Sequence, residues 1–93
     1  MIASFADTRT EDLFNRHQPK GLDIKLQRAA LRKLAILDAA TGLADLKVPP
    51  GNRLELLRGD RAGQHSIRVN NQYRICFRWH RGNAFDVEVM DYH

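Results

Sequence analysis

The sequence has little of what secreted, membrane and metal-binding proteins need. Cys76 is the only cysteine among 93 residues, so no disulfide can form within the chain and a reducing compartment is favoured. No apolar run approaches the ~20 residues of a membrane-spanning helix, and Met1–Ala6 lacks the basic and apolar segments of a signal peptide. The histidines show no paired ligand spacing. We therefore expect a cytoplasmic protein without a membrane anchor, metal or cofactor.

Motifs of the common enzyme classes are missing too. There is no glycine-rich phosphate loop and no serine or cysteine nucleophile motif. The chain also has no internal repeats, linkers or low-complexity tracts. A composition of 43% hydrophobic and 28% charged residues is typical of a folded protein, and the length predicts one domain over residues 1–93. The net charge of +4 favours an anionic partner such as nucleic acid, although many small proteins are merely basic.

Two helices are predicted in the first half of the chain. A short helix begins at Asp7 or Thr8 and ends near His17. A longer one spans Asp23–Thr41, with Gly42 in the left-handed position after its last turn. Its apolar stripe at helical spacing comprises Leu26, Ala30, Leu34 and Leu37. The opposite side carries Lys25, Arg28 and Arg32. That basic side is either ordinary solvated surface or a second surface that attracts anions.

The second half of the chain predicts four successive strands joined by short turns. The central hairpin is Gln64–Trp79, closed at Asn70-Asn71, with Arg53–Arg58 before it and Phe85–Met90 after it. Because side chains alternate between the two faces of a sheet, one face is apolar and the other carries arginines. The apolar set is Leu54, Leu56 or Leu57, His65, Ile67, Val69, Tyr73, Ile75, Phe77, Trp79, Phe85, Val87 and Val89. We predict an α+β fold in which two helices cover one face of an antiparallel sheet and the other face meets water.

The strand pattern gathers polar residues of complementary chemistry on that second face. Arg68 and Arg74 lie on adjacent hairpin strands, Glu55 lies on a neighbouring strand, and His93 ends the last one. A carboxylate can accept a proton, a histidine can donate one, and guanidinium groups can stabilise charge on phosphorus. The set suggests phosphodiester chemistry, although each residue alone would more often be an ordinary surface group.

The motifs across the chain resemble those of a known toxin family. They are Leu57-x-Gly59, Gly63, Ser66-Ile67-Arg68-Val69, Tyr73-Arg74-Ile75-x-Phe77 and Asp91-Tyr92-His93. Together they resemble the HigB branch of the RelE/ParE superfamily over essentially the whole chain. The resemblance implies a compact RelE-like fold and a type II toxin that is a metal-independent endoribonuclease. It also implies messenger RNA in the decoding site of the ribosome as the target. The implied partner is a HigA-like helix-turn-helix antitoxin, through which the toxin would reach operator DNA only indirectly.

The resemblance also implies roles for individual residues. The catalytic set is Glu55, Arg58, Arg68, Arg74, Tyr92 and His93. In this set Glu55 is the base, Arg68 and Arg74 hold the scissile phosphate, and His93 is the general acid, so that a 2′,3′-cyclic phosphate is formed. Tyr92 would stack on a base or assist proton transfer. The glutamate–arginine–histidine combination is more similar to the YoeB branch. Arginines predicted to contact RNA or the ribosome are Arg28, Arg32, Arg53, Arg61 and Arg78.

The sequence leaves two other functions open. Relatives similar to ParE have the same fold but act on DNA gyrase without ribonuclease chemistry. A basic domain that only binds RNA or an acidic partner would need no catalytic groups either. Glu55 and His93 favour the nuclease, because neither alternative requires them.

Overall fold

The sheet is antiparallel, and its four strands follow one another in space in the same order as in the sequence. The computed structural model describes residues 1–92. The strands are β1 (Glu55–Leu56), β2 (His65–Arg68), β3 (Tyr73–His80) and β4 (Asn83–Asp91), preceded by helices α1 (Thr8–Phe14) and α2 (Ile24–Ala39). Three short 3₁₀ segments connect them, at Leu43–Lys47, Pro50–Asn52 and Gly59–Arg61. The predicted α+β architecture is confirmed. No helix in residues 1–92 has the length and apolarity needed to cross a membrane.

Helix α2 supplies the helical side of the core. Asp23 caps its first turn by accepting a hydrogen bond from the Leu26 amide at 2.8 Å. Its buried residues are Leu26, Ala30, Leu34 and Leu37, as the periodicity predicts. The predicted end is wrong, because Gly42 has φ of −151° rather than a left-handed conformation. The Asp45 carboxylate accepts from the amides of Thr41 and Gly42 at 2.9 and 3.3 Å, so this side chain, not a glycine turn, satisfies the backbone there.

Strands β2, β3 and β4 pack their apolar face against the helices. The fully buried residues on this face include Ile67, Ile75, Phe77 and Val87. Near β1, Leu57 is 6% exposed and Leu56 is 61% exposed. Neither belongs to the core that packs on the helices, and from this stretch only Leu54 packs against it. Leu57 is buried on the opposite face, the one that carries Glu55.

A β-bulge changes which residues of β4 face the core. Arg78 pairs with Phe85 while Cys76 pairs with Glu88, so β4 has one extra residue in between. Asp86 lies in this stretch with φ of 53°. Ala84 therefore joins the core and the predicted inward position of Phe85 is wrong.

The second face of the sheet is not open to water at its centre, contrary to the prediction. Ser66 and Cys76 are fully buried, and Arg74 is only 7% exposed. The segment after β1 folds over this face, where Arg61 Nη1 lies 3.1 Å from the Glu88 carboxylate. Polar residues on this face are therefore packed together in a partly desolvated layer.

The first residues of the chain lie along the outer edge of β4. Ile2 and Phe5 form isolated parallel bridges with Ala84 and Val87. Further along the same edge, the Val89 amide donates to Thr10 Oγ1 at 2.9 Å, and the Val89 carbonyl accepts from Arg9 at 3.1 Å. The backbone groups at this edge are therefore paired within the chain.

Candidate active site

A cleft of about 500 Å³ opens beside β1 and the end of β4. Its lining residues are Glu55, Leu56, Leu57, Arg58, Asp60, Arg61, Met90, Asp91 and Tyr92. The lining thus includes Glu55, Arg58, Arg61 and Tyr92, all of which the sequence predicts as site residues. The structure brings these residues together from two separate stretches of the chain, residues 55–61 and residues 90–92.

Arg74 lies beside this cleft and contacts two other predicted catalytic residues, Glu55 and Tyr92. Its Nε donates to Ser66 Oγ at 2.7 Å, and its Nη2 donates to the Arg53 carbonyl at 2.7 Å. Nη2 also lies 3.6 Å from Glu55 Oε2. The guanidinium carbon is 5.4 Å from the centre of the Tyr92 ring, a distance at which a cation is attracted to the ring face. Arg74 is therefore held in one orientation between a carboxylate and an aromatic ring.

Glu55, Ser66 and the Arg53 carbonyl surround the Arg74 guanidinium, and we call this set the Arg74 cradle. Strand pairing and one unusual backbone conformation position its members. Ser66 is the direct partner of Glu55 in the β1–β2 ladder, and Arg74 is the partner of Arg68 in the β2–β3 ladder. Arg53 has left-handed angles, φ 46° and ψ 56°, which residues with a Cβ atom adopt rarely. In this conformation the Arg53 carbonyl reaches the guanidinium.

Two parts of the cradle are missed by sequence reasoning. The alternation of the strand places Ser66 on the same face as Arg74, and that signal could have identified it. No sequence signal identifies the Arg53 carbonyl, because a left-handed arginine is not encoded by any turn motif.

Because the Arg74 side chain is buried, its hydrogen bonds in the cradle are important for stability. A buried charge needs hydrogen-bond partners to offset its loss of hydration, and the bonds from Arg74 supply them. These bonds use Nε and Nη2, and within residues 1–92 they leave Nη1 without a hydrogen bond. The Glu55 side chain is 51% exposed, so its carboxylate remains accessible to a ligand. The site can therefore offer a carboxylate and an oriented cation to the same phosphodiester.

Arg68 does not line the cleft. One of its guanidinium nitrogens donates to Asn71 Oδ1 in the hairpin turn. Burial lowers the pKa of Lys33, and the charges of Arg32 and Arg68 lower this pKa further. Arg68 therefore belongs to a cluster of cations between the hairpin and α2, although its backbone pairs directly with that of Arg74.

The other predicted arginines lie apart from the cleft or carry ion pairs. Arg61 pairs with Glu88 at 3.1 Å, and Arg78 pairs with Asp86 at 3.6 Å. Arg28 and Arg32 are exposed on α2 and do not line the cleft. Arg32 lies beside the hairpin turn, where it shares a depression with Asn70 and Asn71. The predicted general acid, His93, lies outside the described residues.

Metal ligation and thiol chemistry find no support in the described geometry. In the part of the chain that the structure describes, no three histidine, cysteine, aspartate or glutamate side chains are grouped to hold a metal ion. Cys76 is fully buried, and burial raises the pKa of its thiol. It therefore packs in the sheet as an inert side chain.

Comparison with known proteins decides the family. The family described as "RelE-like toxin of type II toxin-antitoxin system HigB" matches residues 3–93. The chain belongs to this HigB family. It is 52% identical over 90 residues to Toxin HigB-1 of Vibrio cholerae, covering 94% of this chain and 93% of the relative. It is 31% identical over 93 residues to Endoribonuclease HigB of Proteus vulgaris, covering 100% of both.

Solved structures support the RelE-like fold. A YoeB–YefM complex from Staphylococcus aureus matches with a TM-score of 0.62 at 16% identity, over 100% of this chain and 98% of that one. A YafQ variant from Escherichia coli matches with a TM-score of 0.61 at 8% identity, over 98% and 93% of the two chains. The match to the HigB family confirms the resemblance that the sequence motifs indicate, and the chain is a type II toxin.

Proposed function

We propose that this HigB-family toxin is an endoribonuclease that cleaves messenger RNA on the ribosome and thereby inhibits translation in the cytoplasm. The arrangement of Glu55, Arg74 and Tyr92 carries this proposal. It sets a carboxylate 3.6 Å from a fixed guanidinium and an aromatic ring 5.4 Å from that cation. Membership of the HigB family and the name of the Proteus vulgaris relative, Endoribonuclease HigB, support the same activity.

The residue types define a metal-independent mechanism. Glu55 accepts the proton of a ribose 2′-hydroxyl, whose oxygen attacks the adjacent phosphorus. Arg74 stabilises the negative charge that develops on the phosphorane oxygens. The bond to the 5′-oxygen breaks, and His93 gives that oxygen a proton, which leaves a 2′,3′-cyclic phosphate. Imidazole is the side chain that most readily exchanges a proton near neutral pH, so a histidine can supply this proton.

Other residues in and around the cleft would bind the message. Arg58 is exposed in the lining and would contact a neighbouring phosphate, as would Arg53 at the entrance to β1. The exposed ring of Tyr92 offers a face on which a base can stack. Arg68 and Arg78 would contact the RNA backbone further from the scissile bond.

An antitoxin completes the proposed system. A type II toxin is neutralised by a protein partner, and the YoeB structures from Staphylococcus aureus are complexes with YefM. For this chain we propose a HigA-like helix-turn-helix antitoxin, with operator DNA bound only through that partner.

Primer extension on cellular messages after induction of the toxin tests the nuclease. Wild type should produce cuts within translated codons. Glu55→Gln and deletion of His93 should each reduce cleavage by about a hundred- to ten-thousand-fold, the usual contribution of an acid or base. Glu11→Gln, an exposed change on α1 with the same change in charge, should cleave normally. Intact messages accompanied by DNA damage would instead support action on gyrase.

A further inference from the structure

A second concave surface lies on the helical side of the molecule. Two adjoining depressions, of about 520 and 260 Å³, share Arg16, Arg28 and Leu31. They form one groove between the end of α1 and the outer side of α2, which we call the helical groove. Because α2 buries its opposite side against the sheet, this helix separates the groove from the sheet and the cleft.

The floor of the helical groove is apolar. Leu31 and Phe14 are each half-buried in it, and Ile24 at one end is 53% exposed. The Phe14 ring packs on the Phe5 ring with centroids 5.6 Å apart, so this ring already has a packing partner within the chain. Exposed apolar side chains in a concave surface are suited to a protein ligand.

The rim of the helical groove is positively charged. Arg16, Arg28 and Arg32 are all exposed, and none of them forms an ion pair within residues 1–92. Asp38 is the only acidic residue in the described lining, and its carboxylate already accepts from the Ile2 amide at 2.8 Å. The rim therefore offers unmatched positive charge to an acidic partner.

Arg16 is placed in the groove by the turn that ends α1. This residue follows α1 with φ of 64°, a left-handed conformation that is common directly after a helix. The turn sets Arg16 where it lines both depressions.

We propose that the helical groove binds an acidic amphipathic helix of the antitoxin. This proposal rests on the proposed pairing of this toxin with an antitoxin. From Ile24 to Asp38 the groove follows about 21 Å of helix, which matches about four turns of a bound helix. Apolar residues at helical spacing on that helix pack on Leu31 and its neighbours, and its acidic residues meet the rim arginines. The apolar floor, with no free aromatic ring for base stacking, favours this occupant over the RNA contact predicted for Arg28 and Arg32.

One substitution and a matched control test the proposal. Ala35 is exposed and lines the helical groove, so Ala35→Glu places bulk and negative charge where the acidic helix would lie. Ala39 is exposed one turn further along α2 and is not part of the lining, so Ala39→Glu gives the same charge change outside the groove. Affinity for the purified antitoxin is measured by calorimetry, and neutralisation is measured by growth with toxin and antitoxin co-expressed.

We expect Ala35→Glu to raise the Kd for the antitoxin at least about tenfold, which corresponds to about 1.4 kcal/mol. This variant should still arrest growth alone and should escape the antitoxin, whereas Ala39→Glu should behave as wild type. Unchanged antitoxin affinity in Ala35→Glu would overturn the proposal. If Ala35→Glu keeps this affinity but no longer binds ribosomes, the proposal is also overturned, because the groove would then be an RNA-binding surface. Calorimetry reports on the groove even if wild type fails to cleave message, so the two proposals can fail separately.

Discussion

The orientation of Arg74 by a buried hydroxyl can be tested with one substitution, Ser66→Ala. Ser66 Oγ accepts the Arg74 Nε hydrogen bond at 2.7 Å, and both groups are buried. The change removes this acceptor and leaves the Arg53 carbonyl as the other short partner of the guanidinium. We expect a folded protein in which Arg74 can rotate away from its position beside Glu55.

The size of the effect follows from the kind of bond that is lost. A hydrogen bond to a charged group contributes about 1.5–3 kcal/mol. If that amount is lost from stabilisation of the transition state, the cleavage rate falls by about tenfold to about a hundred-and-fifty-fold. The free energy of unfolding should fall by a similar amount. The apparent affinity for the message should change little, because Arg58 and the other exposed arginines are unaltered.

The assay is single-turnover cleavage of ribosome-bound message at saturating toxin, with the free energy of unfolding measured in parallel. Cys76→Ala provides the matched control. Cys76 is the strand partner of Ser66 and is equally buried, but its sulfur makes no bond to Arg74 among the described contacts. This control should lose on the order of 1 kcal/mol of stability and keep its cleavage rate.

Two results would contradict a catalytic role for the Ser66 hydrogen bond. If Ser66→Ala loses stability but cleaves at the wild-type rate, then the orientation of Arg74 is irrelevant to the reaction. If Cys76→Ala slows cleavage as much as Ser66→Ala does, the effect comes from general loosening of the sheet rather than from the cradle.

Three further predictions concern other parts of the chain. Tyr92→Ala removes the ring near Arg74 and should weaken binding of the message by about 0.5–2 kcal/mol, whereas Tyr92→Phe should bind normally. If titrations show that the two variants lose the same affinity, the hydroxyl and not the ring is responsible. Gly63→Ala should lower the free energy of unfolding by about 1–2 kcal/mol. Gly63 has φ of 90°, and a Cβ atom there would lie 3.1 Å from Arg78 Nη1. An unchanged denaturation midpoint would contradict this prediction. Burial lowers the pKa of His65 below its ordinary 6.5, so the unfolded chain takes up the proton first and stability should decrease as pH falls below that value. In thermal unfolding His65→Phe should show a weaker decrease, and an identical pH dependence would exclude His65 as its source.

Periodic patterns explain why much of the fold could be predicted. The four-residue spacing of the apolar stripe predicts α2, and strict alternation predicts which face of β3 enters the core. The bulge in β4 could not be predicted, because a left-handed Asp86 leaves no mark on the alternation of its neighbours. At the end of α2 a glycine suggests one termination, but the Asp45 side chain satisfies the same amides first.

The candidate site, like the fold, could be predicted only in part. Glu55 and Arg74 could be placed together because alternate positions on neighbouring strands share a face, whereas Tyr92 is assigned to the site by the resemblance to the toxin family. Their distances depend on Ser66 and on the carbonyl of Arg53, and backbone carbonyls are invisible to motif reasoning. The separation of Arg28 and Arg32 from the cleft follows from the helical pattern, because both lie opposite the buried stripe of α2 and the helices cover the other face of the sheet.

The pairing of the chain's first residues with β4 limits how partners can attach to the sheet. Proteins often recruit an extended peptide by adding it as a new strand to an unpaired edge, and the same edges seed aggregation. Here amides and carbonyls of Ala84 and Val87 are already bonded to the first residues of the chain, and β1 at the opposite edge is only two residues long. Strand addition at β4 would first have to displace the N-terminal segment. A partner is therefore expected to recognise side chains, and a toxin released from its partner should resist edge-to-edge association.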